Sequence, residues 1–265
     1  SPLAGYPAEK AGLKPKDIIA NIDGKSAYDL SINEAVKLIR GDKGTTGKLS
    51  IVRAGVQLEV DVTREEITVP SVESKIQEGI GIVTISRFAD DTAKLTKAVA
   101  QEFKDKKVKG VILDLRSNPG GLLDAAVSVS SLWLKNKTVL TERRDGVIIE
   151  TFKSSGTAIL NGVPTVVLIN EGSASASEIM AGALRDNNAA TLIGVKSYGK
   201  GSVQQPIGLI DGSLLKVTIA RWFTPSGKNI DKEGIEPDQK VEITAEDVKA
   251  GIDSQLNAAI SHLNK

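Results

Sequence analysis

Ser175 and Lys200 are the two residues of this chain whose types and surroundings could support covalent chemistry. Ser175 lies in Gly172-Ser173-Ala174-Ser175-Ala176-Ser177-Glu178, and Lys200 stands between two glycines in Gly199-Lys200-Gly201. A serine that attacks a carbonyl needs a base to take its proton. The customary imidazole is nearly ruled out, because the only histidine, His262, sits in a helical tail from Ile252 to Leu263 where fraying is expected. The chain has no cysteine, which excludes a thiol nucleophile. A Ser-Lys pair is the hydrolytic chemistry that remains.

Each partner makes demands on its surroundings. A strand ending at Asn170, a turn through Gly172 and a helix starting near Ser175 would put the hydroxyl at a helix N-terminus, where free N–H groups and the positive end of the dipole collect. An oxyanion formed there could take a hydrogen bond from the Ala176 amide and a second from Gly120 or Gly121, since glycine lets backbone approach a substrate closely. A lysine of ordinary pKa, about 10.4, must be brought to about 7–8 to act as a base, which requires Lys200 to be buried. Gln204 and Gln205 follow, and an amide there could accept from the ammonium and orient the amine. The same residues have plainer uses. Ser175-x-x-Glu178 is also a helix capping box, and a lysine between glycines is a common solvated turn.

Two competing motifs fail on their own chemistry. Gly194 to Lys200 fits the phosphate-binding G-x-x-x-x-G-K, but Gly201 stands where a Ser or Thr should hold magnesium, and the residues that follow are a poor helix start. Ser197-Tyr198-Gly199-Lys200 fits S-x-x-K, yet neither Ser-Asp-Asn nor Lys-Thr-Gly occurs anywhere in the chain. No metal site or cofactor is called for.

The elements that must position these residues can be read from periodicity. In 265 residues, 40% are hydrophobic and the net charge is +1, so a sizeable core can form in one large or two small domains. Two Trp, three Tyr and four Phe are too few, and the charge too balanced, for a nucleic-acid surface. No stretch approaches the roughly 18 apolar residues of a membrane span. The chain starts at Ser1 without an initiator Met, so a signal peptide or anchor is expected to precede it.

Residues 1–66 read as a small unit: a helical turn at 7–10, a strand at 17–22, a capped helix from Ser31 to Ile39 with Glu34 closing the box, and two strands up to Val62. From residue 67 onward strands and helices alternate, as in a layered α/β domain. Strands are predicted at 80–85, 110–116, 163–170 and 191–194, helices at 91–108, 122–134 and 179–184, and a hairpin within 136–163.

Taken in order, these segments resemble a known family. Ser1 to Ile19, Ile22-Asp23-Gly24 and Glu34 to Gly41 are similar to the later part of a PDZ domain, whose carboxylate-binding loop and peptide-binding strand would lie before Ser1. Leu113-Asp114-Leu115-Arg116-Ser117-Asn118-Pro119-Gly120-Gly121, Gly172 to Ile179, Tyr198 to Gln204, Phe223 to Lys228 and Gly234 to Asp238 resemble the carboxyl-terminal processing proteases. The resemblance implies an α/β fold of α+β layers, a crotonase- and Clp-protease-like β-β-α core over 67–265 with a C-terminal helix, preceded by a partial PDZ domain over 1–66. It further implies Ser175 as nucleophile, Lys200 as general base, Gln204 orienting the lysine, and an oxyanion hole from Gly121 and Ala176, with Gly120 beside them.

Substrates would be the C-terminal segments of proteins or peptides, cleaved outside the cytoplasm, in periplasm, at a cell surface or after secretion. A homo-oligomer or an adaptor protein are further partners to expect, with membrane association only through segments outside this chain. Two other classes fit parts of the pattern: a catalytically latent peptide-binding adaptor, and a crotonase-like acyl-CoA enzyme. Arg40 and Arg53 are expected to dock the first unit on the second.

Overall fold

The computed structural model describes residues 2–3, 5–67, 69–209 and 213–265, with backbone alone at 205, 206 and 216. The chain divides into two compact units, residues 1–69 and 70–265. The first contains α1 (Pro7–Lys10), β1 (Ile18–Ile22), β2 (Lys25–Ser26), α2 (Ile32–Ile39), β3 (Thr46–Arg53) and β4 (Val56–Thr63). Its strands form an antiparallel sheet in the order β2-β1-β3-β4. Alternation along β1 and β3 turns Ile22, Leu49 and Ile51 inward, where they meet Ala35, Leu38 and Ile39 of α2. The capping box of α2 forms as the sequence predicts, with Glu34 Oε2 accepting from the Ser31 N–H at 2.8 Å. Arg53 makes its described contacts within this unit. Its guanidinium is held inside the unit by Asp17 at 2.6 Å and by the Gly12 carbonyl.

The second unit is built on β5 (Val72–Gln77), β6 (Ile80–Ile85), α3 (Thr92–Asp105), β7 (Gly110–Asp114), α4 (Leu123–Ser130), β8 (Thr138–Arg144), β9 (Val147–Lys153), β10 (Thr165–Ile169), α5 (Ala176–Asp186), β11 (Thr191–Gly194), β12 (Ser202–Gly208), β13 (Leu214–Phe223), β14 (Gln239–Lys240), α6 (Ala245–Ala250) and α7 (Ser254–Leu263). Six strands form one sheet in the order β14-β11-β10-β7-β6-β5, parallel throughout except for β5. Both faces are covered, as parallel sheets require. Val167, Ile169, Val111 and Leu113 pack towards α3, α4 and α5, while Val166, Leu168, Ile112 and Ile193 pack towards α7. Each such buried side chain contributes about 1.5–3 kcal/mol.

The second sheet is antiparallel, in the order β12-β13-β8-β9. Its outer strand β9 exposes Val147, Ile148 and Ile149.

Three expectations are corrected. The helix predicted over 122–134 stops at Ser130, because Trp133 is drawn into the core with its indole N–H donating to Thr165 Oγ1 at 2.9 Å. The strand predicted to Arg116 stops at Asp114, because Arg116 bridges Asp114 and Asp253 at 2.7 and 2.8 Å. The tail expected to fray is instead α7, which seats Ala259, Leu256, Ile260 and Leu263 on one face of the six-stranded sheet. Arg116 ties this helix to the end of β7. Burial works against the charge on Arg116, but its hydrogen bonds with both carboxylates raise its pKa. Burial likewise works against the charge on Asp253, yet hydrogen bonds from Arg116 and the Leu256 N–H hold that carboxyl below its usual range.

Candidate active site

The serine turn is built by local hydrogen bonds at the carboxyl end of β10. Asn170 Oδ1 accepts from the N–H of Gly172 at 3.0 Å and of Ser117 at 2.7 Å, so one side chain joins the turns that follow β10 and β7. Ser173 donates to the Leu115 carbonyl at 2.8 Å, and the Asn118 carbonyl accepts from Ala174 N–H at 3.0 Å and Ser177 Oγ at 2.9 Å. The chain then passes through Ser175 at φ 55°, ψ −115°, a conformation that side-chain-bearing residues rarely adopt, and enters α5 at Ala176. Such backbone costs about 1–3 kcal/mol and persists only where its surroundings over-determine it. Its effect is to present the hydroxyl at the turn's apex, partly exposed, beside the first amides of the helix.

Facing this turn is the loop after β7. Gly120 lies so close that a Cβ there would meet the Ala174 carbonyl at 2.7 Å and the Ser175 Cβ at 2.8 Å. Gly121 has φ 140°, and a Cβ there would collide with the Phe88 carbonyl. Phe88 fixes the loop by donating to the Gly120 carbonyl and accepting from Leu122 N–H, both at 2.9 Å. Of the three expected oxyanion contributors, Gly120 is removed as a donor, because its N–H is committed to Asn118 Oδ1 at 2.9 Å. Among the described residues the N–H groups of Gly121 and Ala176 have no protein partner. These are the two donors the site leaves free.

Glu178 is the residue that brings the serine and lysine segments together. Its side chain is fully buried, and its carboxylate accepts four hydrogen bonds: Oε1 from Ser197 Oγ at 2.5 Å and Gly199 N–H at 2.7 Å, Oε2 from Ser175 N–H and Lys200 N–H, both at 2.9 Å. A buried carboxylate is tolerated when its oxygens are saturated in this way. The capping-box spacing predicted the bond from Ser175. The other three come from a loop far along the chain and leave no trace in local spacing.

Gly199 and Gly201 let that loop pass tightly against 231–234. A Cβ at 199 would meet the Gly234 amide nitrogen at 2.9 Å, and the Lys232 N–H donates to the Gly199 carbonyl at 2.7 Å.

The side chain of Lys200 departs from expectation. It is exposed, and among the described residues neither Ser175 Oγ nor Gln204 hydrogen-bonds to it. Gln204 is also exposed, on β12 next to a bulge between Val203 and Gln204. A bulge re-aims the side chains around it. The structure therefore brings the backbones of 175 and 200 to one carboxylate but leaves the two side chains unengaged. Among the described residues no cluster of His, Asp or Glu could hold a metal ion, and no helix is long and apolar enough to cross a membrane.

Comparison with known proteins fits this arrangement. Residues 79–241 match the profile of Peptidase family S41 and residues 1–53 that of a PDZ domain. The carboxy-terminal processing protease CtpA of Bacillus subtilis is 43% identical over 246 residues, covering 92% of this chain and 53% of that protein. A carboxyl-terminal-processing protease of Synechocystis is 40% identical over 274 residues, covering 99% of this chain and 64% of that one. Among solved structures, the photosystem II D1 C-terminal processing protease superposes with a TM-score of 0.64 at 30% identity, over 91% of this chain and 67% of that chain. The chain spans about half the length of several curated relatives that it matches.

Proposed function

We propose, from the premise that the chain belongs to Peptidase family S41, that it carries the peptidase site of a carboxyl-terminal processing serine protease. Ser175 attacks the scissile carbonyl while neutral Lys200 takes its proton. The ammonium then protonates the leaving amine, and water repeats the cycle on the acyl-serine. The amides of Gly121 and Ala176 hold the oxyanion, Gly120 lets the two loops close on each other, and Gln204 orients the lysine.

The observation that carries this reading is the Glu178 carboxylate, which accepts from the backbone of both Ser175 and Lys200 beside two unpartnered amides. The exposure of Lys200 favours one refinement: this conformation is a resting one, and a substrate lying over the site excludes water from the amine. The PDZ-like unit captures protein C-termini, and the chain works outside the cytoplasm, where absence of cysteine avoids stray disulfides.

The test compares the chain with its Ser175→Ala and Lys200→Ala variants on casein at mildly alkaline pH, alongside labelling by a fluorophosphonate. Cleavage lost in both variants is expected, with labelling lost in the first. Cleavage that survives Lys200→Ala would overturn the assignment of the base. Inert parent and unlabelled Ser175 would favour the latent adaptor.

A further inference from the structure

Three strands pair side by side just after the lysine, and two of their facing residues carry charges of the same sign. Ser202, which opens β12 two positions after Lys200, stands opposite Arg221 of β13, and Arg221 stands opposite Arg143 of β8. Residues directly opposite share a face of the sheet, and like charges placed so destabilise it. Asp231 offsets only part of this cost: its carboxylate pairs with Arg221 at 4.0 Å, a distance at which no hydrogen bond forms.

Arg143 is the more unusual of the pair. Its guanidinium lies over the Phe223 ring, 4.4 Å from the centroid, and its Nε is buried with no hydrogen-bond partner. Among the described residues it forms no ion pair. The ring clamps the guanidinium in place without satisfying its Nε–H.

Both arginines line a cavity of about 680 Å³, together with Arg144, Asp145, Phe223 and Asn229. Arg144 Nε is committed to the Ile219 carbonyl at 2.9 Å. Asp145 is the one carboxylate in this lining, and with Asp231 paired to Arg221 it leaves the three arginines an excess of positive charge. A planar guanidinium with free N–H groups recognises a carboxylate in two-pronged fashion.

Resting on the peptidase reading of Ser175 and Lys200, we infer that Arg143 and Arg221 bind the free α-carboxylate of the substrate chain, so that the protease unit itself reads the C-terminus. Strand geometry sets the span. The two residues from Lys200 to Ser202 and one or two strand spacings across make ~8–12 Å, which an extended peptide covers with about two to four residues beyond the scissile bond. The site measures a short tail and ignores the same sequence inside a longer chain.

The experiment uses the full chain carrying Ser175→Ala, so that binding is read without cleavage. An N-terminally fluorescein-labelled, alanine-rich peptide is titrated by anisotropy in three forms: free acid, C-terminal amide, and amide with aspartate as the last residue. The free acid is expected to bind at least about tenfold tighter than the amide, a difference worth about 1.4 kcal/mol. Adding Arg143→Gln and Arg221→Gln is expected to reduce that ratio to within twofold while leaving amide binding unchanged. A merely structural role for the arginines would shift the melting temperature and leave the ratio alone.

Three outcomes would overturn the inference. Equal binding of acid and amide denies a carboxylate site, and a preference that persists in the double arginine variant places it elsewhere, for instance on the PDZ-like unit. Recovery of the preference by the aspartate amide would reassign the pocket to acidic side chains. Because the readout is binding, failure of the peptidase reading would show separately, in the casein assay.

Discussion

The two sheets of the larger unit are built to opposite specifications. In the six-stranded sheet, every residue of β10 is buried, both faces are covered by helices, and the strand ends deliver the serine turn and the Gly120-Gly121 loop. In the four-stranded sheet, Val147, Ile148 and Ile149 of β9 are 65%, 52% and 47% exposed. There two arginines oppose each other, as do Glu142 and Glu150. The first sheet supplies groups whose placement the proposed mechanism cannot let vary, namely the proposed nucleophile and oxyanion donors. The second follows directly on the proposed base, Lys200, and carries the like-charge pairs and apolar exposure that the proposed substrate chain would relieve.

Substitutions that separate the two sheets test this contrast. Leu168→Ala, in the core beneath α7, is expected to destabilise the larger unit by about 2–5 kcal/mol, whereas Ile148→Ala on β9 is expected to stay within about 0.5 kcal/mol. Denaturant unfolding followed by tryptophan fluorescence measures both, since Trp133 and Trp222 lie in that unit. Equal losses would abolish the distinction.

Glu178→Ala strikes the joint between the two halves. It is expected to lower kcat/KM by at least about a hundredfold, because misplacing reacting groups by an ångström costs that much. Glu178→Gln, which keeps an acceptor oxygen, should fall in between. Fluorophosphonate labelling rates at Ser175 should follow the same order, and unchanged rates would show that the carboxylate only fills space.

Glu142→Gln gives the smallest effect and a pH signature. Burial, reinforced by Glu150 opposite, raises the Glu142 carboxyl above its ordinary value of 4.5. With the folded pKa above the unfolded one, the unfolded chain releases its proton first. Stability therefore falls as pH climbs from the unfolded value through the folded one, and the penalty is complete above it. The glutamine variant should melt about 1–2 °C higher than the parent at neutral pH, with the gap closing as pH drops towards 4.5. A gap that widened on acidification would contradict the raised carboxyl.

The sequence was legible where the interactions are local. The strand–turn–helix around Ser175 and the capping box of α2 depend on neighbours within a few positions, and both formed as read. Glu178 was visible only as a capping residue, because its bonds to Ser197, Gly199 and Lys200 depend on a loop brought back by tertiary contacts. The amide of Gly120 looked as available as that of Gly121 until Asn118 claimed it. Lys200 was expected to be buried because its chemistry would need that, yet chemistry states a requirement of the reacting complex and not of the free chain. Fraying was expected of α7 from its position near the end of the sequence, but the apolar stripe of Leu256, Ala259, Ile260 and Leu263 docks it.

Glu178 holds residues 175 and 200 by their main-chain N–H groups, so the scaffold around the reaction does not depend on which side chains those positions carry. On the proposed mechanism, a chain with Ser175→Ala should therefore remain a faithful mould of the parent, engaging substrates and unable to release them as products. Such a chain is a ready bait with which the natural substrates could be fished out and identified by their mass.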